Sequence, residues 1–181
     1  TNTYADVSYL RNLYMPVISR NDIDILSIAT RPDCIDDNIL SLLSELASIK
    51  PVWIELGLQT IHENTADYIR RGYSLDTYDN CVKRLINIGI HPIVHMIIGL
   101  PGESTSDILE TADYIANLSG LPFDDIAVVG DRLYTDIALG KNYGITSILV
   151  LSGESKESDI TSENAPDYVV GKLGDLTEKI F

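Results

Sequence analysis

The sequence predicts an α/β fold in which five to six parallel strands alternate with helices and form one curved, half-barrel-like sheet. Short runs of β-branched and apolar residues alternate along the chain with segments whose apolar residues recur at helical spacing. Such units form parallel sheets with right-handed crossovers, and crossovers in one direction place all helices on one face. The other face then stays open unless the sheet curls or finds a partner.

The first half of the chain is predicted to contain three strands, over residues 24–30, 52–58 and 92–98. Its predicted helices cover residues 7–19, a segment beginning after Asp36 or Asp37, residues 75–88 and residues 105–118. Pro16 is expected to bend or shorten the last turn of the first helix, and an aspartate to cap the second. Gly89 ends the third helix, and Ser104 or Thr105 caps the fourth.

The second half repeats the same rhythm in a shorter form. Strands are predicted over residues 125–129 and 147–151, with a sixth over 168–170. Helices are predicted over residues 135–143, ending at Gly144, and over residues 173–180. The acidic, serine-rich stretch 152–166 is expected to be a surface loop.

Composition excludes several classes of partner. The chain has 181 residues, and its 27 acidic against 13 basic residues give a net charge of −14. A surface that follows phosphates needs a basic stripe, so neither nucleic acid nor an anionic membrane is an expected partner. Two cysteines 47 positions apart form neither a zinc ribbon nor a disulfide framework. With no signal peptide and no apolar run long enough to span a bilayer, the sequence predicts a cytoplasmic protein.

Polar side chains collect on one face of the first three strands. Alternation places Ser27, Glu55, Gln59 and His95 on the face opposite the apolar residues. A sheet covered on both faces would bury these groups at a large cost, whereas the lumen of a half-barrel accepts them around a ligand. The sequence therefore leaves two interpretations open: a ligand site on this face, or edge exposure and satisfied polar pairs.

Five stretches of the first part resemble a radical S-adenosylmethionine protein of the oxygen-independent coproporphyrinogen-oxidase-like group. They are TNTYA at the start, LSIATRPDC, VWIELGLQT, NTADYIRRGY and HMIIGLPGES, and the resemblance covers residues 1–118. It implies the later strands of a partial (β/α) barrel. It also implies that Glu55, Gln59, His95, Gly99 and Gly102 line or border the cofactor cavity.

The same resemblance lacks its metal-binding run. A [4Fe–4S] cluster of this kind needs three thiolates on a CxxxCxxC run, and this sequence contains no such run. Cys34 and Cys81 cannot replace it. No iron–sulfur cluster is therefore expected.

Residues 121–181 resemble the carboxyl-terminal part of a haloacid-dehalogenase-superfamily phosphatase. The matching stretches are IAVVGDRLYTDIALGKNYGITSILVLSG and PDYVVGKLGDL. The resemblance implies that Asp131, just past a strand, coordinates Mg²⁺ and that Asp136 supports it, although Asp136 also suits the start of a helix. The family's nucleophile lies in a DxDxT loop, which this sequence lacks.

The two resemblances together predict a single α/β domain built from residues 1–120 and residues 121–181. Because both sites are incomplete, the sequence predicts an engineered, non-catalytic scaffold without cofactors. The alternatives are a Mg²⁺-dependent phosphatase remnant using Asp131, or a module that binds S-adenosylmethionine or a nucleoside without turnover. A doubly wound, flavodoxin- or Rossmann-like sandwich is the alternative fold. The open sheet face or the edge strand 24–30 is expected to support a homodimer.

Overall fold

The computed structural model describes residues 2–176 of the chain. Its contacts divide the chain into two compact units, residues 1–118 and residues 119–181. Each unit contains one three-stranded parallel sheet, with strand orders β1-β2-β3 and β4-β5-β6. The predicted α/β class with six parallel strands is confirmed. Strand order follows the chain within both sheets, so neither sheet shows the reversal of order that the doubly wound alternative requires.

The prediction of one continuous sheet is wrong, because the six strands form two separate sheets. The strands at the expected junction are short: β3 is Ile93–Met96 and β4 is Ala127–Gly130, where longer strands were predicted. The cause lies in the cores. The large apolar cluster draws its buried side chains from residues 10–90, and two smaller clusters draw theirs from residues 133–176. Each unit therefore closes its own core without extending a common sheet.

The first unit follows the predicted order of helices and strands, with one additional helix. Its elements are α1 Val7–Ile18, β1 Leu26–Thr30, α2 Asp37–Ala47, β2 Val52–Gln59, α3 Glu63–Tyr68, α4 Leu75–Asn87, β3 Ile93–Met96 and α5 Thr105–Ser119. The short α3 was not predicted. Asp36 caps α2, because its side chain accepts a hydrogen bond from the backbone N–H of Ile39 at 2.8 Å.

One face of the first sheet is buried, as the alternation of residues predicts. In β2 every second side chain is buried, and the side chains between them are half-buried. These buried residues are Val52, Ile54, Leu56 and Leu58. The apolar stripe of α2 belongs to the same core, with Ile39, Leu42, Leu43 and Leu46 buried. The helices therefore cover the apolar face and leave the polar residues of the strands on the other one.

The second unit contains β4, α6 Ala138–Tyr143, β5 Thr146–Val150 and β6 Tyr168–Val170. A π-helical turn, Leu133–Ile137, precedes α6, so the predicted helix 135–143 is irregular at its start. A 3₁₀ turn, Leu173–Leu176, stands at the beginning of the predicted helix 173–180, and the rest of that prediction lies outside the described residues. Unlike β2, β5 has both faces buried, because Ile148 and Leu149 belong to two different apolar clusters.

Within residues 2–176, no helix has both the length and the apolar character that crossing a membrane requires.

Candidate functional site

Three polar side chains meet in a row across the open face of the first sheet, and we call Ser27, Glu55 and His95 the Glu55 row. The Ser27 Oγ donates to Glu55 Oε1 at 2.5 Å. His95 Nε2 lies 3.4 Å from Glu55 Oε2. The row spans β1, β2 and β3, and 28% of the Glu55 side chain is exposed, so the carboxylate is oriented by two partners and still reachable. The structure thus brings together three of the predicted site residues.

Gln59 reaches the same face through an irregularity at the end of β2. The register between β2 and β3 shifts between Gly57 and Gln59. Gln59 has a φ of 69°, which is rare for a residue with a side chain. Its amide folds back over Gly57, where a Cβ would lie only 2.6 Å from Gln59 Nε2. The absence of a side chain at Gly57 therefore makes room for the Gln59 amide.

Gly99 and Gly102 lie in the turn that connects β3 to α5. Their φ angles are +88° and +89°, a conformation that favours glycine. Ser104 ends this turn and caps α5 reciprocally with Asp107, whose Oδ2 accepts from both the N–H and the hydroxyl of Ser104 at 2.7 Å. The Thr60 hydroxyl donates to Glu103 Oε1 at 2.5 Å and ties the turn to the end of β2. The two glycines thus shape the strand-to-helix turn directly after His95.

Sequence reasoning missed Arg71 and Tyr73, which contact the end of β2. The Arg71 side chain is 1% exposed and donates hydrogen bonds to backbone carbonyls on both sides of Gln59. The Tyr73 hydroxyl donates to the carbonyl of Gly57 at 2.6 Å. The string RRGY, two arginines and a tyrosine around a glycine after a strand, was the signal that could have indicated these contacts.

A second group that the sequence did not indicate is His62, Asp107 and Glu110, which bring three potential metal ligand atoms within 4.8 Å of one another. Two of the three already have structural partners. His62 Nε2 lies 3.0 Å from the Asp107 carbonyl oxygen, and one Asp107 carboxylate oxygen caps α5. The start of a helix also repels a cation. We therefore assign no metal to this group.

In the second unit, Asp131 follows β4 directly, as predicted. Its Oδ2 accepts a hydrogen bond from the N–H of Glu154 at 2.8 Å. Asp136 Oδ2 accepts from the N–H of Arg132 at 3.0 Å. Burial raises the pKa of Asp136 above its ordinary value, and the nearby Asp131 carboxylate raises it further. The two predicted acids are therefore neighbours.

Neither inherited metal group fits the residues present. Among residues 2–176, Asp131 and Asp136 belong to no group of three metal-ligand side chains, and the sequence lacks the DxDxT loop that carries the nucleophile. The iron–sulfur cluster of the first family needs three thiolates, but Cys34 is on a turn after β1 and Cys81 is buried in α4. We assign no reaction step to either metal group.

Comparison with protein families separates the same two parts. The model of the radical SAM superfamily matches residues 2–115, and the HAD-hydrolase-like model matches residues 109–176. Bacillus subtilis YtqA is 42% identical over 118 residues, which are 65% of this chain and 37% of that protein. The chloroplastic phosphoglycolate phosphatase 1A of Arabidopsis thaliana is 44% identical over 67 residues, which are 35% of this chain and 18% of that protein. The chain thus spans well under half the length of these relatives.

A solved structure, the archaeal Elp3 of Methanocaldococcus infernus, matches 99% of this chain and 51% of its own length at 17% identity, with a TM-score of 0.62. This likeness concerns the fold alone.

The hybrid composition predicted from the sequence is confirmed by the two family matches. The prediction of an engineered scaffold is wrong, whereas the prediction that the chain is non-catalytic stays a prediction. A natural bacterial protein is similar to one part of the chain and a natural plant protein to another, and the two family matches overlap at residues 109–115, which leaves no unmatched linker between them. Nothing in the chain requires engineering as an explanation.

Proposed function

The chain belongs to the radical S-adenosylmethionine superfamily through residues 2–115, and on this premise we propose that the polar face of its first sheet binds S-adenosylmethionine. The observation that carries the proposal is the Glu55 row, in which a reachable carboxylate is held between Ser27 and His95. The Gln59 amide lies beside the row, over Gly57. A surface of this kind, polar and exposed, has no evident role in supporting the core behind it.

The chemistry of the row suits this ligand. An ionised carboxylate only accepts hydrogen bonds, and S-adenosylmethionine offers it two ribose hydroxyls and an ammonium group. Each Glu55 oxygen contacts one partner in the row, which leaves lone pairs for the ligand. The Gln59 amide can donate and accept at once, as the edge of an adenine ring requires. The net charge of −14 also favours a cationic ligand over a phosphorylated one.

The ligand would supply a sulfonium centre, the source of adenosyl or methyl groups. The residues of this chain would orient it: Ser27 and His95 hold the Glu55 carboxylate, and Gly57 makes room for the Gln59 amide. Since the cysteines do not fit an iron–sulfur cluster, the proposal covers binding and orientation only.

Titration calorimetry of the full chain with S-adenosylmethionine tests the proposal. We expect Glu55→Gln to weaken binding about tenfold or more, because a hydrogen bond to a charged group contributes about 1.5–3 kcal/mol. The matched control is Glu157→Gln, which removes the same charge from an exposed position of the second unit and should leave the affinity unchanged. Methylthioadenosine, which lacks the ammonium group, shows which part Glu55 contacts. The absence of binding to the unmodified chain, or equal affinities of the two variants, would refute the proposal.

A further inference from the structure

The Glu55 row has large apolar neighbours on the open face of the first sheet. In the register of the strands, Trp53 lies directly opposite Ser27, and Ile93 lies directly opposite Glu55. Successive side chains of a strand alternate between its two faces, so Trp53 and Ile93 share the face of the Glu55 row. The Trp53 side chain is half-buried, and 37% of Ile93 is exposed. The Glu55 carboxylate is therefore bordered by two apolar side chains that solvent reaches.

These two side chains are spaced for one flat ring. Trp53 and Ile93 are diagonal neighbours on adjacent strands, about 7–8 Å apart, a separation that an aromatic group bridges. On the other side of Trp53, β1 offers only the small side chains of Ser27 and Ala29 to the same face. Aromatic rings in contact gain about 0.5–1.5 kcal/mol beyond the area that they bury, so the indole favours a ring as its neighbour.

The area and the charge of this patch indicate a small, uncharged occupant. Each partner of a stable protein dimer buries roughly 800 Å², far more than two side chains can offer when one of them is half-buried. The Glu55 carboxylate lies at the border of the patch, and the chain carries a net charge of −14. An anionic ring would therefore be repelled at this place, whereas a neutral ring would not.

We propose that Trp53 and Ile93 form a subsite for an uncharged aromatic ring of a small molecule, beside the Glu55 row. The indole contacts the ring, Ile93 borders its other side, and the Glu55 carboxylate disfavours anions. This subsite does not depend on S-adenosylmethionine. If the row binds that ligand, the ring belongs to a second molecule next to it, and only this consequence rests on the proposed function.

Fluorescence titration of the full chain with the neutral probe N-phenyl-1-naphthylamine tests the subsite. Its absorption overlaps the emission of tryptophan, and Trp53 is the single tryptophan of the chain, so bound probe should quench Trp53 and emit by energy transfer. With the probe excited directly, we expect Trp53→Leu to weaken its binding about fivefold and Trp53→Phe, which keeps a ring, less than about twofold. Ile93→Thr should weaken it about threefold, and it serves if Trp53→Leu does not fold. Ile49→Thr is the matched control, because Ile49 is 43% exposed and follows α2, and it should bind like the unmodified chain.

A matched anionic probe tests whether the ring lies next to Glu55. The probe 1-anilinonaphthalene-8-sulfonate has the same rings and a sulfonate, so we expect it to bind the unmodified chain at least about threefold more weakly than the neutral probe. Glu55→Gln should reduce this difference by strengthening the binding of the anionic probe, whereas Glu157→Gln, at an exposed position of the second unit, should leave the difference unchanged.

Three results would overturn the inference: no binding of the neutral probe, equal binding by the unmodified chain and by the Trp53→Leu and Ile93→Thr variants, or a difference between the probes that Glu55→Gln does not reduce. If the unmodified chain does not bind S-adenosylmethionine, the proposed function fails, and the two probe titrations still decide whether the ring subsite exists.

Discussion

Gly57→Ala should separate binding from stability at the proposed site. The φ of Gly57 is not positive, so alanine fits its backbone, and the loss of a glycine reduces the entropy of the unfolded chain. The new Cβ would lie 2.6 Å from Gln59 Nε2 and 3.4 Å from the Tyr73 hydroxyl. Ordinary contact begins at 3.4 Å, so the Gln59 amide must move by about 0.8 Å while Tyr73 stays.

The amide is the far end of a flexible side chain, so its movement costs the fold little and costs the ligand one hydrogen bond. We expect the free energy of unfolding to change by less than about 1 kcal/mol, and the affinity for S-adenosylmethionine to fall about 3- to 12-fold. Urea unfolding and titration calorimetry measure the two quantities. Gly174→Ala, where a Cβ meets open space, is the control for the exchange of glycine for alanine. A variant that binds as well as the unmodified chain, or that loses more than about 2 kcal/mol of stability, would refute the reasoning.

Three further predictions concern other parts of the chain. Burial raises the pKa of Asp136 above its ordinary value of 3.8, so the native state binds the carboxyl proton more tightly than the unfolded state does. The contribution of Asp136 to the free energy of unfolding therefore declines as the pH rises above about 3.8. Asp136→Asn should therefore raise the urea midpoint at pH 7 but not below about pH 3.8; a midpoint lowered at pH 7 would contradict this. Burial raises the pKa of the Cys81 thiol to about 11, so Ellman's reagent at pH 8 should modify Cys81 only on unfolding. The half-buried Cys34 is replaced by serine for this test, and rapid modification of the native Cys34→Ser chain would count against the burial of Cys81. We propose that β1, an edge strand of the first sheet, pairs with the β1 strand of a second copy in a homodimer. Ala29 is at an exposed position of β1, and light scattering should show that Ala29→Lys shifts the chain from dimers to monomers. An unchanged mass of the variant, or a monomeric unmodified chain, would refute the pairing.

The faces of the first sheet could be predicted from the sequence, whereas the bulge could not. Alternation predicts that Ser27, Glu55 and His95 share one face. In the register of the strands, Glu55 lies opposite Ala29 and Ile93, so Ser27 and His95 contact it as diagonal neighbours two positions along each strand. The turn at Gln59 depends on Arg71, which lies twelve positions further along the chain. A γ-turn with positive φ favours glycine or asparagine, so a glutamine at this position gives no local signal. Only the folded contact determines it.

The division into two sheets was also hidden from the sequence, because the βα rhythm is the same on both sides of the junction. What differs is the covering of the sheets. β2 is buried on one face, whereas β5 is buried on both, with Ser147, Ile148 and Leu149 all inaccessible. Apolar runs of similar length predict a strand in either case and do not indicate how many layers will cover it.

Glycines with ordinary backbone angles mark both predicted sites. A Cβ on Gly57 would meet the Gln59 amide at 2.6 Å, one on Gly130 would lie 2.2 Å from Asp136 Cβ, and one on Gly153 would lie 2.0 Å from Asp131 Oδ2. None of these three glycines has a positive φ, so the backbone does not require glycine there. Each of these glycines makes room for a polar side chain. The stability of the fold alone does not explain why glycine stands at these positions. Because the clash at Gly57 involves only the end of a side chain, it is the position of the three where function can be tested without loss of the fold.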